Sequence, residues 1–177
     1  MRKDIMTMRH TTLGLLVALA FSLLAVMPSA NAQQVVFLMR HAEQASGANG
    51  DALLTESGHR RARALATVLK DAGLTAIYVS EFQRTGQTAE PLAQALQIEP
   101  KSMPRRDIDG LLERLRTQHP DGRVLIISHG LTISHVLKAF GHPEEVVIQP
   151  EEYARLFVIV PKPTGPPLVF VLHFSGE

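Results

Sequence analysis

Apolar residues fall along this chain in two alternating patterns. Short runs rich in Val, Ile and Phe cover Val35 to Met39, Ala76 to Val79, Val124 to Ile127, Leu156 to Val160 and Leu168 to Phe174, and they read as strands. The first and third are apolar throughout, as expected where a strand is covered on both faces. Longer stretches of helical period separate them. Thr55 reads as the N-cap of a helix running to about Asp71, with Ala62, Leu65, Ala66 and Leu69 on one face and Gly73 as the stop. Ser80 with Gln83 reads as a capping box opening a second helix to about Gln97, in which Pro91 predicts a kink or a break. A third helix is predicted over about Asp109 to Gln118, and a fourth from just after His129 to Gly141. The segment Glu99 to Arg106 carries two prolines and reads as an irregular connector; Pro161 to Pro167 reads as a turn joining the last two strands into an antiparallel hairpin.

Strands alternating with helices are the mark of βαβ units. The pattern predicts an α/β fold, a three-layer sandwich with a mostly parallel central sheet and helices on both faces. No internal repeat or low-complexity tract points to a second domain.

The first 32 residues differ from the rest. Arg2, Lys3 and Arg9 precede an apolar run from Leu13 to Met27, followed by Pro28 and the small-x-small sequence Ala30-Asn31-Ala32. This is the three-part pattern of a secretory signal peptide, and the apolar run is shorter than the ~20 residues a bilayer span requires. Cleavage after Ala32 is expected, with Met8 a second candidate start, which leaves a domain over residues 33–177 located in the periplasm or secreted. Removing the leader leaves 15 Lys and Arg against 16 Asp and Glu. That near-neutral balance lacks the clustered cations by which nucleic acid or an anionic membrane is bound, and no membrane anchor is expected after cleavage. With no cysteine, the chain has no disulfide and no thiolate nucleophile, so its core alone must hold it together.

In an open parallel sheet, ligands bind beyond the carboxyl ends of the strands. Arg40-His41 follows the first predicted strand, Arg84 lies in the opening turn of the helix after the second, and His129-Gly130 follows the strand Val124 to Ile127. Taken singly, each residue reads most simply as a solvated loop residue. Together, two imidazoles and two guanidiniums at one sheet edge form a site for a tetrahedral dianion, because Arg presents a planar fork of donors that matches phosphate oxygens. Neighbouring helix N-termini add backbone N–H groups. Rival chemistries fit less well. His129 and His135, six apart on a helix, fall on different faces, which disfavours a helical metal pair, and there is neither a G-x-S-x-G elbow nor a P-loop. Glu151-Glu152 and Arg60-Arg61 read as solvated faces, and His10, His59, His119, His142 and His173 as surface or structural residues.

The string Phe37-Leu38-Met39-Arg40-His41-Ala42-Glu43 resembles the opening signature of the histidine phosphatase superfamily, which includes phosphoglycerate mutases and many phosphatases. Asp51 with Leu54-Thr55 and Gly58 resembles its D-x-x-L-T-x-x-G segment. Ser80 to Ala89 resembles its S-x-x-x-R-T-x-x-T-A segment, and Ile127-Ser128-His129-Gly130 its second histidine motif. The resemblance implies a phosphoglycerate mutase-like fold, with His41 as nucleophile, Arg40, Arg84 and His129 holding phosphate beside Gly130, and no metal or cofactor required. Ala42 stands where glycine is more usual, and the stretch from Glu99 to Leu115 lacks the acidic segment with which larger members place a general acid. Asp107 and Asp109, nearest the start of the third helix, are the candidate acids, with Glu81 a further one; capping that helix is the alternative role for both aspartates. The expected activity is hydrolysis of a small-molecule phosphoester or a phosphorylated envelope sugar through a phosphohistidine. The competing reading is a secreted protein of the same fold that binds phosphate or a phosphoester with little turnover.

Overall fold

The computed structural model describes residues 34–46 and 50–176; the leader expected over residues 1–32 lies outside the described residues. In chain order the elements are β1 (Val35–Arg40), α1 (Glu56–Leu69), β2 (Ala76–Ser80), α2 (Gln83–Leu96), β3 (Lys101–Met103), α3 (Ile108–Gln118), β4 (Arg123–Ser128), α4 (Gly130–Ala139), β5 (Arg155–Val160) and β6 (Leu168–His173). They build one sheet in the order β3-β2-β4-β1-β5-β6. The first four strands are mutually parallel, and β5 and β6 add an antiparallel hairpin.

Period-two alternation along each strand supplies both layers of helices. In β4, Val124 and Ile126 pack with Leu111 and Leu115 of α3 and with Ile133, Val136 and Leu137 of α4. The intervening Leu125 and Ile127 pack on the opposite face with Leu65 and Leu69 of α1 and with Ala89 and Leu92 of α2. Burial of each such side chain contributes about 1.5–3 kcal/mol, which is why β4 is apolar from Val124 to Ile127.

Three local expectations change in the structure, and of the two readings of Pro91 the break is excluded. The connector Glu99 to Arg106 contains β3, whose Lys101, Ser102 and Met103 pair with Tyr78, Val79 and Ser80. Three residues between Pro100 and Pro104 are too few to carry a strand period, and only the neighbouring β2 recruits them. Ser80 does not cap α2: it ends β2, and the N-cap is Phe82, which makes no side-chain cap bond. The Asp51 carboxylate caps that helix from a distance instead, accepting from Gln83 N at 2.9 Å and from its Nε2 at 3.2 Å. Pro91 is carried inside α2 without ending it. Arg61 is no solvated residue. Its guanidinium grips the Glu43 carboxylate, donating from Nε at 3.0 Å and Nη2 at 2.7 Å, and reaches the Phe174 carbonyl at 2.8 Å.

That clamp anchors the segment after β1. Thr55 caps α1 as expected, accepting from Gly58 N at 3.1 Å, and Gly58 lies so close to the Glu43 carbonyl that any Cβ would fall well inside van der Waals contact with its oxygen. Burial works to raise the Glu43 carboxyl, but the Arg61 hydrogen bonds outweigh it and hold the group below the usual carboxylate range. The loop leaving β1 is thereby fixed against α1.

Candidate active site

Chain direction opens the site. From β1 the chain crosses β4 toward one edge of the sheet, and from β4 it crosses β1 toward the other, so a crevice opens beyond the carboxyl ends of these two neighbours. Their parallel register pairs Arg40 with Ser128, and His41 N donates to Ser128 O at 2.9 Å. The two histidines one step further on are therefore brought together, with ring centroids 5.3 Å apart.

His41 is only 2 % exposed. Its Nδ1 lies 2.8 Å from the carbonyl oxygen of Ala42. A carbonyl can only accept, so the proton sits on Nδ1 and the lone pair on Nε2. Burial pushes the imidazole down to about 3; the Ala42 bond opposes this, and the charges of Arg40 and Arg84 lower it further. The backbone around the ring is held by Thr88, whose hydroxyl accepts from Ala42 N at 3.0 Å and donates to Arg84 O at 2.7 Å. The Ala42 methyl finds room in a small buried cluster with Leu54 and Ala62.

His129 is the N-cap of α4. Arg84 Nη2 lies 3.4 Å from its Nδ1, and Ser80 Oγ lies 2.8 Å from its Nε2. A guanidinium can only donate, so Nδ1 accepts and Nε2 carries the proton toward Ser80. Thr85 steadies Ser80, its hydroxyl 3.2 Å from Ser80 Oγ. Burial, followed by Arg84, Arg105 and Arg40, pushes the His129 imidazole down to about 4.

The two sequence-predicted arginines are fixed by backbone carbonyls and rings. Arg40 Nη1 donates to Gln149 O at 3.0 Å and Pro150 O at 2.7 Å, with its guanidinium 4.4 Å from the Tyr153 ring centroid. Arg84 donates to Gly50 O at 3.2 Å, faces Asp51 at 3.7 Å and stacks 4.4 Å from the Phe82 centroid. In both, Nε is buried without a hydrogen-bond partner. An unpartnered buried donor is costly, and an oxyanion seated between the two guanidiniums would satisfy it. Gly130 opens α4; like those of Leu131 and Thr132, its amide lies in a first turn that has no intrahelical acceptor.

The structure thus gathers Arg40, His41, Arg84, His129 and Gly130. It does not bring in the two aspartates. Asp107 caps α3, accepting from Gly110 N at 3.0 Å, and Asp109 is exposed in the first turn of that helix. Glu81 accepts from Arg105 N at 2.8 Å. Sequence reasoning missed Ser80 as the partner of His129, and Arg105, whose guanidinium stacks 4.9 Å from the Phe82 centroid. A signal for Ser80 was present, since it ends a strand at the predicted site edge; Arg105 had none. Beside His129 lies a cleft of about 610 Å³ whose walls include Arg40, Arg105, His129, Gly130 and Ile148. Among the described residues, no group of three or more His, Cys, Asp or Glu side chains could hold a metal ion, and no helix is long and apolar enough to cross a membrane.

Residues 36–107, which carry three of the four motifs, match the histidine phosphatase superfamily (branch 1). Over that stretch the chain is similar to the superfamily. A probable phosphoglycerate mutase GpmB from Proteus mirabilis is 36% identical over 113 residues, covering 50% of this chain and 53% of that protein. A second, from Cronobacter sakazakii, is 39% identical over 87 residues, covering 45% of this chain and 40% of that one. The chain thus spans about half the length of the curated relatives it matches. Among solved structures, the protein histidine phosphatase SixA complexed with tungstate shares the fold at TM-score 0.65 and 23% identity, covering 80% of this chain and 97% of that one. A mycobacterial glucosyl-3-phosphoglycerate phosphatase aligns at TM-score 0.60 and 15% identity, covering 71% and 89%. At these identities the likeness concerns the fold alone.

Proposed function

We propose that this chain is a metal-independent phosphatase that hydrolyses phosphomonoesters through a phosphohistidine on His41. One observation carries the reading: the Ala42 carbonyl fixes the His41 proton on Nδ1 and leaves the lone pair on Nε2, within the field of Arg40 and Arg84, whose Nε donors are unpartnered. In-line attack by Nε2 forms the N–P bond as the ester P–O bond breaks. Arg40, Arg84 and the opening turn of α4 stabilise the equatorial oxygens of the loose transition state. Water then attacks phosphorus, the N–P bond breaks, and the proton of that water passes to solvent. His129 does not attack phosphorus; oriented by Ser80, its Nδ1 accepts from Arg84 and positions that guanidinium beside the transferring group.

The alcohol must acquire a proton as it leaves. Asp107, Asp109 and Glu81 are the donors expected from the sequence, but Asp107 is engaged as the cap of α3 and Glu81 by Arg105 N. No Asp or Glu among the described residues lines the main cleft, which favours leaving groups that need little protonation. The same observation supports a second reading, a binding protein with little turnover. Hydrolysis of p-nitrophenyl phosphate in the presence of EDTA separates the two: turnover supports the phosphatase, whereas vanadate binding without turnover supports the binder. For the mechanism itself, rapid acid quenching with labelled substrate should trap acid-labile, base-stable phosphate on the wild type and none on His41→Ala. Near wild-type turnover in His41→Ala, or activity abolished by EDTA and restored by a divalent metal, would overturn the covalent histidine mechanism.

Substrate and location belong to the same proposal. The fold-level likeness to a glucosyl-3-phosphoglycerate phosphatase supports a sugar phosphate or other small phosphoester as substrate. The leader pattern supports export to the periplasm, with phosphorylated envelope sugars then within reach. N-terminal sequencing should find Gln33 at the start of the exported protein; a cytoplasmic protein retaining Met1 or Met8 would defeat the location.

A further inference from the structure

The charged groups lining the cleft beside His129 are all of one sign. Arg40, His129 and Gly130 reach it from the anion site, and Arg105 and Arg106 enter it from the β3–α3 connection. Among the described residues, neither of these last two guanidiniums has a carboxylate within ion-pair distance. Arg105 is nonetheless held in place. Its N donates to the Glu81 carboxylate at 2.8 Å, and its carbonyl accepts from Thr132 Oγ1, in the first turn of α4, at 3.3 Å. The Phe82 ring ties its guanidinium to the phosphate site: the ring centroid lies 4.9 Å from the Arg105 guanidinium carbon and 4.4 Å from that of Arg84. The charge of Arg105 reaches that site, where after burial and Arg84 it is the next contributor lowering the His129 imidazole. A cleft lined by one sign of charge concentrates ligands of the other.

Other features carry less. A second cavity along α4 carries both signs, His135, Lys138 and His142 with Glu144 and Glu145, and so selects no one ligand. The outward side of the edge strand β6 is apolar, with Phe170 55% exposed, but nothing in the structure shows what covers it. The Arg61–Glu43 clamp is satisfied within the fold. Leaving-group chemistry points back to the cationic cleft. With no Asp or Glu among the described residues lining it, an alkyl alcohol would depart unprotonated, as a strongly basic alkoxide. A phosphomonoester loses its last proton at about pH 6, so it departs as a stable anion, and Arg105 and Arg106 stand beside the anion site to receive it.

We infer that the cleft is a leaving-phosphate subsite, in which Arg105 and Arg106 hold the inner phosphate of an organic diphosphate while His41 takes the terminal one. This rests on the phosphatase reading for the step at His41 and names the substrate class of that site. Nε2 forms the N–P bond to the terminal phosphorus as the anhydride P–O bond breaks. The electron pair stays on the oxygen of the departing phosphomonoester, which needs no proton. Water then attacks the phosphohistidine, the N–P bond breaks, and inorganic phosphate leaves as the proton of that water passes to solvent.

Methylenediphosphonate, whose P–C–P bridge is not hydrolysed, tests the subsite apart from turnover. In isothermal titration with EDTA present, it should bind the protein at least about tenfold more tightly than methylphosphonate, because it gains charge-assisted bonds, and both should compete with inorganic phosphate. Arg105→Gln should remove most of that preference, and Arg106→Gln, at an exposed position, part of it. In steady-state assays the wild type should hydrolyse pyrophosphate, the simplest such anhydride, with kcat/KM at least about tenfold above that for glycerol phosphate. Arg105→Gln should lower kcat/KM for pyrophosphate about tenfold more than for p-nitrophenyl phosphate. Equal affinity for the two phosphonates in the wild type, variants that keep the full preference, or glycerol phosphate hydrolysed as fast as pyrophosphate would each overturn the subsite. Phosphonoacetate bound as tightly as methylenediphosphonate would also overturn it, because the arginines would then answer to any second anion. A protein that shows the phosphonate preference and loses it in the variants, yet hydrolyses neither pyrophosphate nor p-nitrophenyl phosphate, would refute the phosphatase reading alone.

Discussion

Lowering the pH tests the central electrostatic feature of the site, the neutral His41. An imidazole with the ordinary value near 6.5 would be only roughly 3% neutral at pH 5, costing a nucleophile about thirtyfold in rate. Burial, reinforced by Arg40 and Arg84, pushes His41 down to about 3, so about 99% should remain neutral at that pH. The acid limb of kcat/KM for an aryl phosphate, corrected for the ionisation of the substrate, should therefore fall well below pH 6.5. The same shift is linked to stability. The folded value lies below the unfolded one, so the unfolded chain takes up protons first as pH falls; the stability is fully present above about 6.5 and is lost on descending toward the folded value. At pH 5 this linkage costs roughly 2 kcal/mol for His41 and a similar amount for His129, whose imidazole is pushed to about 4. Urea unfolding at pH 8 and pH 5 measures the loss, and His41→Asn should remove about half of it. An acid limb centred near 6.5, together with equal pH dependence of unfolding in wild type and His41→Asn, would refute the buried neutral imidazole.

Substitutions at three further positions probe how the site is supported. Ser80→Ala removes the partner of His129 Nε2 and should lower kcat by about tenfold to a hundredfold with little change in KM; Ser80→Thr should restore part of it in steady-state assays. Gly58→Ala drives a methyl into the Glu43 carbonyl and should cost about 1–3 kcal/mol in urea unfolding, together with activity, because Glu43 anchors the loop that carries His41. Asp107→Asn keeps a good helix cap, so stability should change by less than about 0.5 kcal/mol and alkyl and aryl phosphates should be hydrolysed at unchanged relative rates. Selective slowing of the alkyl esters would instead make Asp107 the acid.

Much of this protein is legible locally. Strand and helix periods follow from which face each residue must bury, so the order of elements and the two helix layers emerge from the pattern of apolar positions. The ligand edge is legible for the same reason. Apolar runs stop where strands leave the core, and Arg40-His41 and Ser128-His129 stand at those stops. Tertiary structure alone decided how these groups meet. The β1–β4 register sets His41 beside His129, Ser80 turns from an expected cap into the partner of His129, and Asp51 caps α2 from 32 residues away. Arg61 grips Glu43, and the carbonyls of Gln149 and Pro150 hold Arg40. Even β3 exists only because β2 offers it an edge. Local periodicity records which face of an element is buried, but it cannot specify a partner tens of residues away, because that partner is chosen by how the layers pack.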